Sequence, residues 1–466
     1  MANSYRTIPQ DTTGMPSGIP YIVGNEAAER FSFYGMRAIL FVFMTKYLMD
    51  AAGEPAVMNE AQAKAWGHMF QGAVYFFPIL GAIIADAWWG KYRTIIYVSI
   101  VYCLGHLALA VDDTRLGLAI GLSLIAIGSG GIKPCVSANV GDQFGPTNQG
   151  LIEKVYNWFY FSINVGSTAS TLLTPVLLDR YGPSMAFGVP GILMFLATLI
   201  FWMGQREFVH RPPVGTSFVR QAFRGEGLKA LRNLVPIYLC IVVWWSLYEQ
   251  SSLGWVAQAG RMNRDVDLEP LRNWGLSFLP STWTILESQV QAINPILVLV
   301  FIPTFSYLLY PTLNRLIRMT ALRKIGLGFF LMIACFAIIA LIERSLVAGY
   351  RPHIGWQCLA YAVLTASEVM VYATGLEFSY TQAPSYMKSF IMSLYLLTVA
   401  GGDGIAFLVN TAIQRPDGSS RLEGPSYFWF FCLLMLAATI AFVFVALRYQ
   451  GKTYLQGDDE AQPASA

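Results

Sequence analysis

The sequence predicts an all-α integral membrane protein, with about twelve transmembrane helices in two six-helix bundles and both termini cytoplasmic. Three observations carry this expectation. Hydrophobic residues make up 55% of the 466 and charged residues 13%, with a mean hydropathy of +0.48, more apolar surface than a soluble fold can hide. Apolar runs near the roughly 20 residues needed to cross the hydrocarbon recur from end to end. Basic residues also gather in alternate loops, with Arg206, Arg211, Arg220, Arg224, Lys229 and Arg232 in one and Arg315, Arg318, Arg323 and Lys324 in another. The opposite loops are mixed or acidic (Asp112 and Asp113; Asp265, Asp267 and Glu269), so the positive-inside rule puts the basic loops and both termini in the cytoplasm.

Expected spans are 21–50, 66–88, 93–111, 115–140, 153–179, 186–205, 232–260, 284–311, 323–343, 352–380, 385–413 and 425–448. The chain then reads as an N-terminal bundle (1–205), a cytoplasmic basic linker (206–231), a C-terminal bundle (232–448) and a cytoplasmic tail (449–466). That is the division expected of a carrier built from facing repeats. The net charge of +3 is too small to imply nucleic acid. Six cysteines without C-x-x-C spacing read as thiols, neither disulfides nor metal ligands. Residues 1–19 are polar, so no cleavable leader is expected, nor is a lipid anchor.

The first span holds the most unusual stretch, G-N-E-A-A-E-R-F-S-F-Y-G-M-R from Gly24 to Arg37. At the 3.6-residue helical period Glu26, Glu29, Arg30, Tyr34 and Arg37 share one face, a polar stripe at membrane depth. A charge at the bilayer centre costs about 2.5–3.5 kcal/mol on insertion scales, so such groups pair or face a wet cavity. Two readings follow: an internal salt-bridge ladder, or a proton and substrate pathway. The segment E-A-A-E-R-F-S-F-Y-G resembles the E-x-x-E-R-F-x-Y-Y-G motif of the proton-dependent oligopeptide transporter (POT/PTR) family of the major facilitator superfamily. Glu26, Glu29, Arg30, Phe31, Tyr34 and Gly35 match, and Phe33 stands where the first tyrosine is usual. The resemblance implies the major facilitator fold and a bacterial di/tripeptide:proton symporter, with twelve helices because the linker is too short for the two that many bacterial members add.

The tail of span 2, with Gly81, Asp86, Gly90, Lys91 and Arg93, resembles the superfamily's loop between helices 2 and 3, which implies a conformational latch of helix ends. His68 in the same span titrates near neutral pH; it is either a satisfied structural group or, by resemblance to animal members, a proton-handling one seven residues before Tyr75. In span 4, glycines 128, 130 and 131 lack a G-K-[S/T] ending and suit close helix packing. Lys133 precedes Pro134, where a kink is expected, and an ammonium facing a cavity there suits a carboxylate; in the family the matching lysine holds the peptide C-terminus. Span 5 carries F-Y-F-S-I-N-V-G-S, close to the family's F-Y-x-x-I-N-x-G-[S/A]. Its Asn164 suits either a peptide amide or another helix.

In the second half, span 7 sets Trp245 one turn before Glu249. The family's comparable W-x-x-x-E-Q implies a glutamate protonated during transport that pairs with a first-helix arginine, here Arg37, while Trp245 lines a side-chain pocket or faces lipid. Span 8 begins Q-A-I-N-P, with Asn294 an amide partner by resemblance. Span 10 ends G-L-E-F-S-Y-T-Q-A-P, a family signature. Glu368, about two and a half turns earlier, is at a depth suited to the substrate's ammonium, and Glu377 braces the gate. In span 11 Tyr395 stands where the family often has tryptophan and is expected to shape a pocket.

A zwitterionic peptide clamped by Lys133 and Arg37 at one end and Glu368 at the other, between the two bundles, is the resulting expectation. Tyr34, Tyr75, Asn164 and Asn294 would add neutral hydrogen bonds, and Glu26, Glu29, Arg30, Glu249 and His68 would couple protons. The expected protein is a monomer in the cell's inner (plasma) membrane whose partners are di/tripeptides, protons and lipid, with no metal and no cofactor beyond the proton. A related carrier of another anion, such as nitrate or a conjugated metabolite, is the alternative. An intramembrane hydrolase is disfavoured, since none of the remaining histidines, His106, His210 and His353, has an evident serine or aspartate partner.

Overall fold

The computed structural model describes residues 5–145, 147–148, 151–210, 212–213, 225–273, 280–382, 388–415 and 420–449; the side chain of Asp86, most of the linker's basic residues and the tail beyond Tyr449 lie outside the described residues. Among the described residues twelve long helices follow one another. They are α1 (Ile19–Lys46), α2 (Glu60–Trp89), α3 (Lys91–Val111), α4 (Arg115–Asp142), α5 (Ile152–Tyr181), α6 (Pro183–Met203), α7 (Gly225–Tyr248), α8 (Gln289–Asn314), α9 (Ala321–Val347), α10 (Gly355–Ser379), α11 (Lys388–Ala412) and α12 (Pro425–Arg448). Among the described residues eleven are long and apolar enough to cross a membrane. The other is α1, whose 28 residues include Glu26, Glu29, Arg30, Arg37 and Lys46.

Polar side chains and positive-φ glycines set the helix ends. Asn59 and Gln62 form a reciprocal capping box at α2, while Thr114 and Thr320 accept backbone N–H groups at the starts of α4 and α9. Gly90 (φ 75°) and Gly182 (φ 79°) take the left-handed conformation that lets α2 turn directly into α3 and α5 into α6.

Two large apolar cores result among the described residues, one running from Ile19 to Phe208 and the other from Leu231 to Phe442, with a small third cluster of Phe305, Val369 and Met370. The first also draws in Leu253, Val256 and Ala257, so the segment after α7 is packed into the N-terminal core. Glycines bring α4 against its neighbours: a Cβ on Gly81 would lie 2.6 Å from Gly131 Cα, one on Gly128 2.5 Å from Tyr102 Cβ, and one on Gly130 2.5 Å from Phe77 Cβ. Backbone contact replaces side-chain packing there.

Two expectations about elements need correction. Span 7 does not run unbroken to 260: α7 stops at Tyr248, and a tight turn of helix at Glu249–Ser252 and a short helix at Gly254–Ala259 follow. Span 8 does not begin at 284, because Thr282–Thr284 (β2) pairs antiparallel with Asp265–Asp267 (β1) in a hairpin outside the bundle. Alternating Thr-Trp-Thr favours an extended strand there over a helix. The kink expected at Pro134 stops short of a break, since α4 stays helical through it with Ser137 Oγ donating to the carbonyls of Lys133 (3.1 Å) and Pro134 (3.3 Å). In α10 the wide turn Val369–Ala373 follows directly on Glu368, an irregularity common at functional sites.

The Gly81 contact makes a stability prediction. Gly81→Ala should push α2 from α4 and cost about 1–3 kcal/mol, the usual range for overpacking. Gly188→Ala, whose new Cβ would meet only Ala110 Cβ at 4.0 Å, should be tolerated. Unfolding midpoints of the two variants in the same detergent decide the matter.

Candidate functional site

A cavity of about 380 Å³ lies between the two halves, within the size range of small-ligand sites. Its walls come from α1, α2, α4 and α5 on one side and from α7, the turn after it, α8, α10 and α11 on the other. Of the residues picked out from the sequence, Arg30, Tyr34, Arg37, Tyr75, Lys133 and Asn164 line it from the N-terminal half, and Trp245, Glu249, Asn294 and Glu368 from the C-terminal half.

The polar stripe of α1 splits into two ion-paired groups about two turns apart. Arg30 Nε lies 2.5 Å from Glu26 Oε1 and 3.3 Å from Glu29 Oε2, both carboxylates being buried behind it. Ser129 of α4 adds a long hydrogen bond (3.5 Å) to Glu29. Arg37 reaches across the halves, donating to the Glu249 carboxylate and to Ser252 Oγ (3.1 Å). Gln71 Nε2 also donates to Glu249, at 3.4 Å. Because α7 ends at Tyr248, the tight turn carrying Glu249 meets Arg37 head-on.

Lys133 has its ammonium over two aromatic faces, 4.4 Å from the Phe33 ring centre and 4.3 Å from that of Tyr75, both within cation–π range. Rings hold the charge without neutralising it, so it stays available to an anion. Opposite, Glu368 accepts from Asn294 Nδ2 (2.7 Å), which also donates to Thr365 Oγ1 (3.1 Å). Trp245 meets Tyr248 and Tyr372 edge-on, at 5.1 and 5.6 Å, and the three rings form one aromatic wall.

Ties between the halves cluster on the side of the cavity away from the termini. There Lys46 pairs with Glu287, Gln289 Nε2 donates to Leu172 O (2.9 Å) and Gln291 Nε2 to Ala38 O (3.1 Å). The cavity is thereby capped at its distal end. At the opposite end Lys91 pairs with Asp142 (2.6 Å), joining the start of α3 to the end of α4, while Arg93 and Glu377 are exposed.

One side chain sits differently from expectation. Tyr395 does not shape the cavity: it is fully buried and its hydroxyl donates to the carbonyls of Val371 (3.3 Å) and Tyr372 (3.1 Å). The wide turn in α10 leaves those carbonyls open to it, and Tyr372 lines the cavity in its place. His68, expected as either a structural or a proton-handling group, lies off the cavity lining; its Nδ1 is 2.9 Å from Asp403 Oδ1 of α11, with both residues fully buried. His106, thought to lack a serine, has Ser32 Oγ 2.8 Å from its Nε2. That hydroxyl bonds to Pro190 O (2.7 Å), which ties α1 to α3 and α6.

Sequence reasoning missed Asp403, Tyr372, Ser252 and Gln71. Asp403 alone carried a readable signal, as a lone acid in an apolar span. The other three become significant only through what faces them.

Twelve helices in two halves around a charged internal cavity define the class of membrane carriers built from facing helical repeats. The model of the POT family (PTR2) matches residues 92–225 and 223–430, and the chain belongs to that family. It is 36% identical to Peptide transporter family 1 of Drosophila melanogaster over 384 residues (72% of this chain, 49% of that one). It is also 36% identical to solute carrier family 15 member 2 of Homo sapiens over 416 residues (78% of this chain, 54% of that one). The chain spans about half the length of the curated relatives it matches. Among solved structures, the in meso crystal structure of the POT family transporter PepTSo superposes with a TM-score of 0.82 at 34% identity, covering 94% of this chain and 99% of that one.

The Arg37–Glu249 pair can be tested by a mutant cycle. Arg37→Ala and Glu249→Ala should each cost about 3–5 kcal/mol, because each strands one buried charge. The double variant should cost clearly less than the sum, as read by equilibrium unfolding in mixed micelles.

Proposed function

We propose that this protein is a proton-coupled symporter of di- and tripeptides that works by alternating access, with the peptide clamped end to end between two six-helix bundles. The observation that carries the reading is Lys133 and Glu368 on opposite walls of one cavity, matched in charge to the two ends of a zwitterion. Relatives named as peptide transporters support the substrate class. The bundles are 1–205 and 232–448, joined by a cytoplasmic basic linker (206–231), and residues 449–466 form a cytoplasmic tail. The protein is a monomeric carrier, with no enzymatic step, and resides in the plasma membrane with both termini inside.

Lys133 takes the peptide carboxylate and Glu368 its amine. Tyr34, Tyr75, Asn164 and Asn294 bond the backbone, and Trp245 with Tyr372 makes room for side chains. Because the clamps stand on opposite bundles, bound peptide draws them together. Glu249 is the coupling acid: when ionised it holds Arg37, and when protonated it frees Arg37 for the carboxylate and loosens one tie between the halves. Glu26 and Glu29 share Arg30 and store a further proton by the same logic. Lys91, with Asp86 and Arg93, latches helix ends on the cytoplasmic side, and Glu377 braces the inner gate. The membrane gradient drives the cycle, since one charge moving inward through 100 mV supplies about 2.3 kcal/mol.

In proteoliposomes, Glu29→Gln and Glu249→Gln should lose pH-driven accumulation of a labelled dipeptide and retain exchange between equilibrated compartments. Unchanged accumulation in both would refute the assignment. Lys133→Ala should lose binding of free dipeptides, in competition against di-, tri- and tetrapeptides across a pH step. Retained affinity would point to a substrate lacking a carboxylate.

A further inference from the structure

His68 and Asp403 form a link between the bundles that the clamp and the coupling acid do not use. The Nδ1–Oδ1 contact of 2.9 Å joins α2 to α11, and both side chains are completely buried. Their outward atoms, His68 Nε2 and Asp403 Oδ2, have no hydrogen-bond partner among the described residues. The backbones are close as well, for a Cβ on Gly72 would lie 3.4 Å from Asp403 Cβ and 3.6 Å from Ala400 O. Helix direction puts both residues in the distal half, on the same side as the Lys46–Glu287 tie.

The charge count decides what such a pair requires. With no proton shared between them, neutral imidazole and carboxylate bury one net negative charge, at a penalty of several kcal/mol. One proton removes that charge, whether it is written as imidazolium with carboxylate or as imidazole with carboxylic acid. The charged groups acting on the pair are Arg37 from α1, Lys64 from α2 itself and Glu249 from the turn after α7. Arg37 is taken up by Glu249 and Lys64 lies 3.4 Å from Glu60, so neither is left over to compensate. On the other packed helices, Lys133 of α4 lies over Phe33 and Tyr75, Glu368 of α10 is bonded to Asn294, and Lys229 and Arg232 stand at the far end of α7.

We infer that Asp403 is a positioning residue which, with His68, forms a proton-dependent latch between α2 and α11, so that the distal end closes only when the pair has taken up one proton. The proton comes from water on the distal side while the helices are apart. It then sits between Nδ1 and Oδ1, and returns to the same water when they separate. It therefore makes closure pH-dependent without itself being carried across. The inference rests on the alternating-access reading above, and it adds Asp403 and a task separate from that of Glu249.

The test needs no substrate. Spin labels at Val57→Cys and Thr411→Cys, exposed positions just before α2 and at the distal end of α11, report the gap in reconstituted full-length protein from which the half-buried thiols Cys103 and Cys358 have been replaced by serine. Raising the pH should shift the wild-type distance from closed to open. Asp403→Asn, which keeps a hydrogen bond to neutral His68 and needs no proton, should stay closed across the same range. His68→Gln leaves the carboxyl to hold the proton alone and should move the midpoint to lower pH, so the inference remains testable if the first variant fails to fold. A wild-type pH response in Asp403→Asn, or an unmoved midpoint in His68→Gln, would reduce the pair to a structural contact. Dipeptide accumulation by the unlabelled protein is the separate arm: its absence would overturn the peptide reading and leave the distance result standing.

Discussion

Charge that has left water and cannot return to it is the constraint on which the whole arrangement depends. Glu26, Glu29, Glu249 and Asp403 are each at most 1% exposed, in a fold whose apolar composition leaves little to solvate them. Each can stay there only while something opposite supplies a cation, a donor or a proton. Arg30 answers the first two from within α1, whereas Arg37 and His68 answer the others from across the bundle boundary. Two of the four buried acids are therefore held from across the boundary between the halves.

The consequence is a division of labour between strong, exclusive contacts and weak, permissive ones. Ion pairs and hydrogen bonds cap the distal end, where closure must be decisive. Around the cavity, Lys133 is held by ring faces and the remaining wall is aromatic. A ring face positions an ammonium without consuming it. Such a wall is permissive of shape, because ring faces impose no directional hydrogen bond.

Glycine has a comparable role in the frame. Where Gly81, Gly128 and Gly130 let α4 approach α2 and α3 at backbone distance, Lys133 is carried on a rigid support. The wide turn after Glu368 does the opposite on α10: it leaves carbonyls open to Tyr395, places Tyr372 on the cavity wall and puts an irregularity between Glu368 and the end of the helix.

Span number and most span limits could be read directly, because crossing lipid imposes a length and a polarity that few other structures share. The α1 stripe could be read too, since charged residues on one face of an apolar helix require an explanation whatever surrounds them. Local sequence also announced Lys133, Asn294 and Glu368, as polar residues at membrane depth. Partnership was decided only by the tertiary structure. Neither the turn that aims Glu249 at Arg37, nor the displacement of Tyr395 by Tyr372, nor the meeting of His68 with Asp403 from 335 positions away is encoded in any local pattern. Hydrophobicity and helical period act over a few residues, and a buried charge finds its counterpart through packing between helices far apart in the chain.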